Sequence, residues 1–144
     1  MARITIGLPE QFQFSTDIAV RISDINYGGH LGHDSIISLM HETRVRFLNS
    51  RGFSESDIEG FGLIMTDLAV VYKAEVLYGE ILTIEIGIQN ITKYGWDFVY
   101  RVINKKTDKE VARAKTGVLI FDYKQKKVIV IPERFMKDFG LGKD

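Results

Sequence analysis

Hydrophobic and polar residues alternate along much of this chain, and a period of two predicts β-strands with one buried face. The first alternating run extends from Phe12 to Ile22. Three more runs are found later in the chain, Leu82–Ile88, Trp96–Val102 and Ala112–Ile120, and Val128–Ile131 is predicted as a short last strand. The polar segments between these later runs have the length of hairpin loops, so neighbouring strands are predicted to pair antiparallel.

A helical period replaces this alternation between Asp34 and Arg51. Asp34 is expected to cap the N-terminus, because its carboxylate can accept the free N–H groups of the first turn. Gly52 is well placed to cap the C-terminus. The segment is therefore predicted as a helix of about five turns, with one apolar stripe that includes Ile36, Ile37, Met40, Phe47 and Leu48.

The segment from Leu63 to Tyr72 is almost continuously apolar. Such a run is typical of a central strand that is covered on both faces. Asp67 is the exception within it, and burying an unpaired carboxylate is costly. We therefore expect Asp67 to pair with an arginine or to face a cleft, where it would contribute to substrate binding.

One apolar helix followed by a meander of long antiparallel strands predicts an α+β fold, with the sheet curled around the helix. The 144 residues fit a single domain. Long apolar strands around one helix would leave exposed sheet edges in a monomer. We therefore expect an assembly no smaller than a dimer.

Composition narrows the classes of function. The 19 basic and 19 acidic residues cancel, which argues against a nucleic-acid-binding protein. The absence of cysteine excludes disulfides, thiolate metal sites and a cysteine nucleophile, and it fits a cytoplasmic location. The sequence shows neither a signal peptide nor an apolar run of about 18 residues, the length of a membrane-spanning helix.

Candidate chemistry is concentrated in the loop from Asp24 to Asp34, between the first strand and the helix. Gly28 and Gly29 would let a ligand approach the backbone closely. The first helical turn offers unpaired N–H groups, which suit a carbonyl oxygen that becomes negative during acyl transfer. The alternative is a glycine-rich turn with satisfied polar groups. His30 and His33 lack a third ligand, so no metal site is expected.

This loop resembles the signature of the 4-hydroxybenzoyl-CoA thioesterase family of hotdog proteins, roughly Asp-x-Asp-x-x-Gly-His-Val-Asn-Asn. The matching residues are Asp24, Gly29, His30 and Leu31. Residues 42–44 resemble the Glu-Ala-Arg stretch on that family's helix, and residues 72–82 resemble its second strand, turn and third strand. The loop is also similar to that of the acyl-CoA thioesterases associated with the Tol-Pal genes, through Gly28, Gly29, Leu31 and His33.

The resemblance covers about residues 15–131 and implies a hotdog fold, an antiparallel sheet wrapped around one central helix, for the single domain 1–144. It implies hydrolysis of an acyl thioester, acyl-CoA in particular, to the free acid and CoA, with no cofactor besides the CoA of the substrate. It also implies a homodimer or homotetramer with sites at the subunit interface. The residues expected to bind substrate are Tyr27, Gly28, Gly29, His30 and Asp67.

One position departs from the family pattern. The second aspartate of the signature is the family's catalytic carboxylate, and this chain has Asn26 there. An amide can orient water or the thioester but does not take a proton. Glu42, His33 or Asp24 would then supply the base, and Glu42 is the first choice because some hotdog thioesterases use a helix glutamate. The other roles left open are a salt bridge from Glu42 to Arg46 and a loop anchor at Asp24.

Two other functions stay open. A non-catalytic protein that binds acyl thioesters would keep the pocket and lack the base at position 26. Hydration of an enoyl thioester is a third possibility on this fold. That reaction usually needs an aspartate and a histidine at another spacing, and this sequence has no such motif.

Overall fold

The computed structural model describes residues 3–141. In this part of the chain, eight helices and strands follow one another in the order β1 (Phe14–Ala19), α1 (His33–Ser50), β2 (Gly62–Tyr72), β3 (Ile81–Gln89), β4 (Gly95–Asn104), β5 (Glu110–Asp122), β6 (Lys127–Val128) and α2 (Glu133–Asp138). A short 3-10 turn, Ile22–Asp24, connects β1 to the loop before α1.

The strands form one antiparallel sheet in the order β1-β3-β4-β5-β2, and β6 pairs with β5. Alternate residues of β3, β4 and β5 point inward and pack with the apolar stripe of α1 in one core. The α+β arrangement of a sheet around one helix is therefore confirmed. None of the helices within residues 3–141 has the length and apolar character that crossing a membrane requires.

The helix α1 lies within one residue of the predicted segment, but its N-terminus is capped differently. Gly32 is the N-cap residue, and no side chain caps the helix there. Asp34 lies inside the first turn, so its assignment as N-cap was wrong. At the other end, Gly52 has a φ of 83°, and its N–H donates to the carbonyl oxygen of Asn49 over 3.1 Å. Glycine adopts this left-handed conformation without strain, as the predicted C-terminal cap requires.

The strand β2 is an edge strand, so its prediction as a central strand was wrong. It pairs only with β5 among the described residues. Its side chains Met65 and Leu68 are 45% and 47% exposed. An apolar run identifies a strand, but it does not specify on how many sides that strand has neighbours. The consequence is an unpaired apolar edge next to α1.

The strands β3, β4 and β5 contain the predicted runs and extend them by one or two residues at each end. Two predicted strands are shorter than expected: β1 occupies Phe14–Ala19, and β6 only Lys127–Val128. Alternation continues beyond the ends of β1 in the sequence, but backbone pairing with β3 is limited to six residues.

The sequence analysis did not identify α2, which closes one end of the core. The ring of Phe135 stacks on that of Trp96 with centroids 4.6 Å apart and on that of Phe139 at 4.3 Å. Both phenylalanines are buried. A helix of six residues shows little periodicity, so its aromatic contacts, rather than its own pattern, define its position.

Candidate active site

The loop before α1 is a small closed turn organised by Asn26. The Asn26 N–H donates to the carbonyl oxygen of His30 at 2.8 Å, and its own carbonyl oxygen accepts the Gly29 N–H at 3.0 Å. The side-chain oxygen of Asn26 accepts the N–H groups of Gly28 at 3.0 Å and His30 at 3.2 Å. Gly29 has a φ of 87°, which favours glycine. The Asn26 side-chain oxygen thus shapes the loop, while its NH2 group is a donor.

Asp24 anchors the base of this loop. It is buried, and its carboxylate accepts the Arg21 N–H at 2.9 Å and the Arg21 guanidinium at 3.1 Å. Burial by itself raises the pKa of Asp24, but the hydrogen bonds and charge of Arg21 outweigh burial and lower the pKa. The carbonyl oxygen of Asp24 also accepts the Gly32 N–H at 2.9 Å. These contacts fit the second role considered for Asp24 in the sequence analysis, that of a loop anchor.

A cleft lies between this loop, the start of α1 and the segment after β2. We call it the Asn26 cleft, with a volume of about 390 Å³ and a lining of Asn26, His30, Leu31, His33, Tyr72, Lys73, Ala74 and Glu75. The Leu31 N–H donates to the Val76 carbonyl oxygen at 2.8 Å and holds the loop against that segment. Three residues from the sequence analysis, Asn26, His30 and His33, therefore meet in one cavity.

Two contacts fix the walls of the cleft. The Tyr72 hydroxyl donates to the main-chain oxygen of His33 at 2.8 Å, and the two rings lie edge to face. His30 Nε2 lies 3.1 Å from Glu75 Oε1. The main-chain N–H groups of the first turn of α1 have no partner inside the helix, so this end provides hydrogen-bond donors and a partial positive charge.

The remaining loop residues lie around the cleft without lining it. Tyr27 is fully exposed, and Gly28 and Gly29 form the tip of the turn that Asn26 closes. Glu42 lies elsewhere, on the side of α1 that faces β1. Its carboxylate pairs with the Arg46 guanidinium at 2.8 Å. These contacts fit the alternative role of Glu42, a salt bridge to Arg46, rather than that of the base.

A second cavity lies between α1 and β2, and we call it the α1–β2 groove. It has a volume of about 400 Å³ and is lined by apolar and polar side chains of Ile37, Ser38, Met40, His41, Arg44, Met65, Thr66, Asp67, Leu68 and Thr116. Ile37 follows His33 by one helical turn, so the groove begins close to the Asn26 cleft.

Asp67 lines this groove but pairs with a lysine rather than with an arginine. Its carboxylate oxygens lie 2.8 Å and 2.9 Å from Lys115 Nζ, and one of them accepts the Gly117 N–H at 3.1 Å. The hydrogen bond from Lys115 lowers the pKa of Asp67. Of the two alternatives given above for Asp67, the structure thus shows the cleft. The ionic partner is Lys115 and not an arginine, because β5 places Lys115 beside a bulge in β2.

A chain of buried polar groups forms the floor of the groove. Arg44 Nη1 donates to the Tyr100 hydroxyl at 2.9 Å, which lies 2.8 Å from Thr116 Oγ1. Arg44 Nε also pairs with Glu55, whose carboxylate contacts His41 at 2.8 Å. Burial by itself raises the pKa of Glu55, but Arg44 and His41 together lower it.

Sequence reasoning missed Glu55, Glu75, Tyr100 and Thr116. The alternation of β4 and β5 does identify Tyr100 and Thr116 as inward-facing polar residues, which was the available signal. Glu55 and Glu75 lie in connecting segments without a periodic pattern. No group of three or more His, Asp or Glu side chains among residues 3–141 is arranged to hold a metal ion.

An antiparallel sheet around one helix, with a polar cleft at the start of that helix, defines a hotdog-fold protein. The chain belongs to the thioesterase-like superfamily, whose family model matches residues 20–139. The further resemblance to the 4-hydroxybenzoyl-CoA or Tol-Pal-associated subtypes stays a prediction. A comparison with curated proteins finds no match.

Solved structures with the same fold include several thioesterases. A 1,4-dihydroxy-2-naphthoyl-CoA thioesterase from Synechocystis is 18% identical with a TM-score of 0.82, over 88% of this chain and 95% of that one. A DHNA-CoA thioesterase from Staphylococcus aureus is 22% identical with a TM-score of 0.76, over 88% and 85%. Another Staphylococcus aureus protein, solved in complex with CoA, is 14% identical with a TM-score of 0.81, over 94% and 86%. At these identities the likeness shows the fold alone.

Proposed function

We propose that this protein hydrolyses acyl-CoA thioesters in the Asn26 cleft and needs no cofactor beyond the CoA of the substrate. The observation that carries this proposal is the meeting of an amide, two imidazoles and the start of α1 in one cavity. Membership of the thioesterase-like superfamily supports the reaction class. The CoA bound to a protein of the same fold supports CoA as the carrier.

In the proposed reaction, a water molecule attacks the thioester carbonyl carbon. The oxygen that becomes negative is held by N–H groups of the first turn of α1, and Asn26 orients the attacking water. Each such donor typically contributes about 10²–10³-fold to the rate, because it faces a charge that develops only in the transition state. The C–S bond then breaks and the CoA thiolate leaves.

The α1–β2 groove is the proposed binding site of the acyl group. It begins at Ile37, one helical turn from His33, and continues along α1 as far as Arg44, a distance of about 10 Å along the helix axis. Apolar walls from Met40, Met65 and Leu68 would cover the acyl group, and Asp67 and Arg44 border its polar end.

Release of CoA from a panel of acyl-CoAs by the wild-type protein is the direct test of this function. Short, long and aromatic acyl groups are compared at equal concentration, with thiol release followed continuously. We expect turnover with at least one class. If the protein binds acyl-CoA but releases CoA from no donor, it is a non-catalytic acyl-thioester-binding protein. The amide at position 26, in place of a basic carboxylate, is the feature that favours this alternative.

Replacement of Asn26 by aspartate should raise turnover. Aspartate keeps an oxygen that can accept the Gly28 and His30 N–H groups, and it adds a basic group where the family carries one. A general base contributes about 10²–10⁴-fold, so we expect kcat/KM to rise by about tenfold or more. Steady-state kinetics on the best substrate measures this effect. Unchanged turnover and unchanged substrate affinity would show that position 26 has no role in the reaction.

The protein is also proposed to form at least a homodimer through β2. The edge of β2 carries unpaired backbone groups and the exposed side chains Met65, Leu68 and Tyr72, and such an edge readily pairs with another strand. A second copy fits this edge, because two β2 strands that pair antiparallel would cover the same apolar side chains on both subunits. The Asn26 cleft and the α1–β2 groove would then lie at the interface.

Light scattering tests this assembly. We expect at least twice the 16.4 kDa mass of the chain at micromolar concentration. Leu68→Lys should shift the mass towards the monomer, because it places a charge on the apolar edge. Ile91→Lys is the matched control, since Ile91 is exposed outside β2. A wild-type mass of one chain would rule out the dimer.

A further inference from the structure

His30 and Glu75 form a pair in the Asn26 cleft that could supply the base for the proposed reaction. His30 Nε2 lies 3.1 Å from Glu75 Oε1, and both side chains line the Asn26 cleft. The two side chains are 41% and 72% exposed. A carboxylate this close to one imidazole nitrogen favours the tautomer that carries its proton there and has its lone pair on the other nitrogen. His30 can then accept a proton only at its other nitrogen, Nδ1.

The surroundings of Gly28 locate Nδ1. A Cβ atom built on Gly28 would lie 3.4 Å from Asn26 Oδ1 and 3.9 Å from His30 Nδ1. The imidazole nitrogen and the amide of Asn26 therefore border the same space. The main chain of His30 is also bound to Asn26 on both sides, through its N–H and its carbonyl oxygen. These bonds fix the backbone from which the imidazole projects beside the amide.

The other candidate bases are less suitable. Asp24 is engaged by Arg21, and Glu42 is paired with Arg46 on another side of α1. His33 packs its ring against Tyr72 and has no carboxylate partner among residues 3–141. A base oriented by a third group is the recurring arrangement in nucleophilic and hydrolytic sites. Among these candidates, His30 is the one that has such an orienting partner.

We propose that His30 is the general base of the hydrolysis and that Glu75 is the residue that positions it. This inference rests on the function proposed above. His30 Nδ1 takes a proton from the attacking water while the water oxygen bonds to the carbonyl carbon. When the tetrahedral intermediate collapses, the C–S bond breaks and the imidazolium returns the proton to the leaving thiolate. Glu75 keeps its charge throughout and stabilises the imidazolium between the two steps.

The test compares kcat and KM of the wild type, His30→Gln and Glu75→Gln. His30→Gln should lower kcat by about 10²–10⁴-fold with little change in KM. Added imidazole should restore part of the activity of this variant, which distinguishes loss of the base from misfolding. Glu133→Gln, an exposed carboxylate on α2, is the control and should behave as the wild type.

Glu75→Gln separates positioning from a merely structural role. It should lower kcat by about tenfold with KM unchanged, as for other partners that orient an active imidazole, and Glu75→Asp, which keeps the carboxylate, should retain part of the activity. A wild type that hydrolyses acyl-CoA while His30→Gln keeps near-native kcat overturns the inference and leaves the proposed function intact. Near-native kcat in Glu75→Gln overturns the role of Glu75. A wild type without turnover overturns both proposals.

Discussion

Arg44→Met is expected to lower the free energy of unfolding by about 3 kcal/mol. The substitution keeps the volume and removes the donor from the buried chain that joins Glu55, Tyr100 and Thr116. Removal of one partner from a buried ion pair typically costs about 3–5 kcal/mol, because the other charge stays in place without compensation. The lower end applies here, since the side chain of Glu55 is 26% exposed and keeps contact with water.

Glu42→Gln on the same helix is the matched control for this prediction. Glu42 pairs with Arg46, their side chains are 51% and 40% exposed, and such pairs contribute about 1 kcal/mol or less. The bonds from Arg46 to β1 stay in place in this variant. Urea denaturation of both variants gives the two free energies. Equal losses would show that the chain of Arg44 adds no more stability than a surface ion pair. If the Arg44→Met variant still binds acyl-CoA as the wild type does, Arg44 contributes to stability and not to substrate binding.

Phe135→Ala is expected to destabilise the protein by about 3–5 kcal/mol, the range for truncation of a buried phenylalanine. Phe135 is fully buried and its ring contacts those of Trp96, Phe139 and Phe53. The substitution leaves a cavity among these three rings, and a close-packed core fills such a cavity only in part. The loss should appear as a lower denaturation midpoint.

Lys137→Ala provides the control on α2 for this second prediction. Lys137 is exposed, and such surface substitutions usually change stability by about 0.5 kcal/mol or less. Denaturation followed by Trp96 fluorescence reports directly on the cluster, since this is the tryptophan that Phe135 stacks against. Similar midpoints for the two variants would indicate that α2 contributes little to closing the core.

The sequence by itself determined the main elements of the sheet and the central helix. The alternation of residues in β3, β4 and β5 and the helical stripe of α1 predicted these elements to within one or two residues of their observed ends. Side chains point to the same face every 3.6 residues in a helix and every two residues in a strand. The element type can therefore be predicted from the order of apolar and polar residues within the segment itself. The same holds for the loop of Asn26, where glycines and an amide close a turn within five residues.

The order of the strands was decided only by the tertiary structure. The apolar run of β2 predicted a central strand, and the sheet places it at an edge. The position of α2 likewise depends on Trp96 and Phe53, which are distant from it in sequence. A period specifies which side of a strand is buried, but the neighbours of that strand depend on long-range packing that no local pattern encodes.

For the candidate site, too, the sequence determined some features and the tertiary structure decided the others. The sequence determined that a glycine-rich loop with Asn26, His30 and His33 precedes the helix, because these residues are neighbours along the chain. Only the tertiary structure brought Glu75 to His30, and only the packing of α1 on β4 joined Arg44 to Tyr100, 56 residues away. Contacts between distant segments form when the whole core closes, because each contact must compensate the entropy of closing the intervening chain.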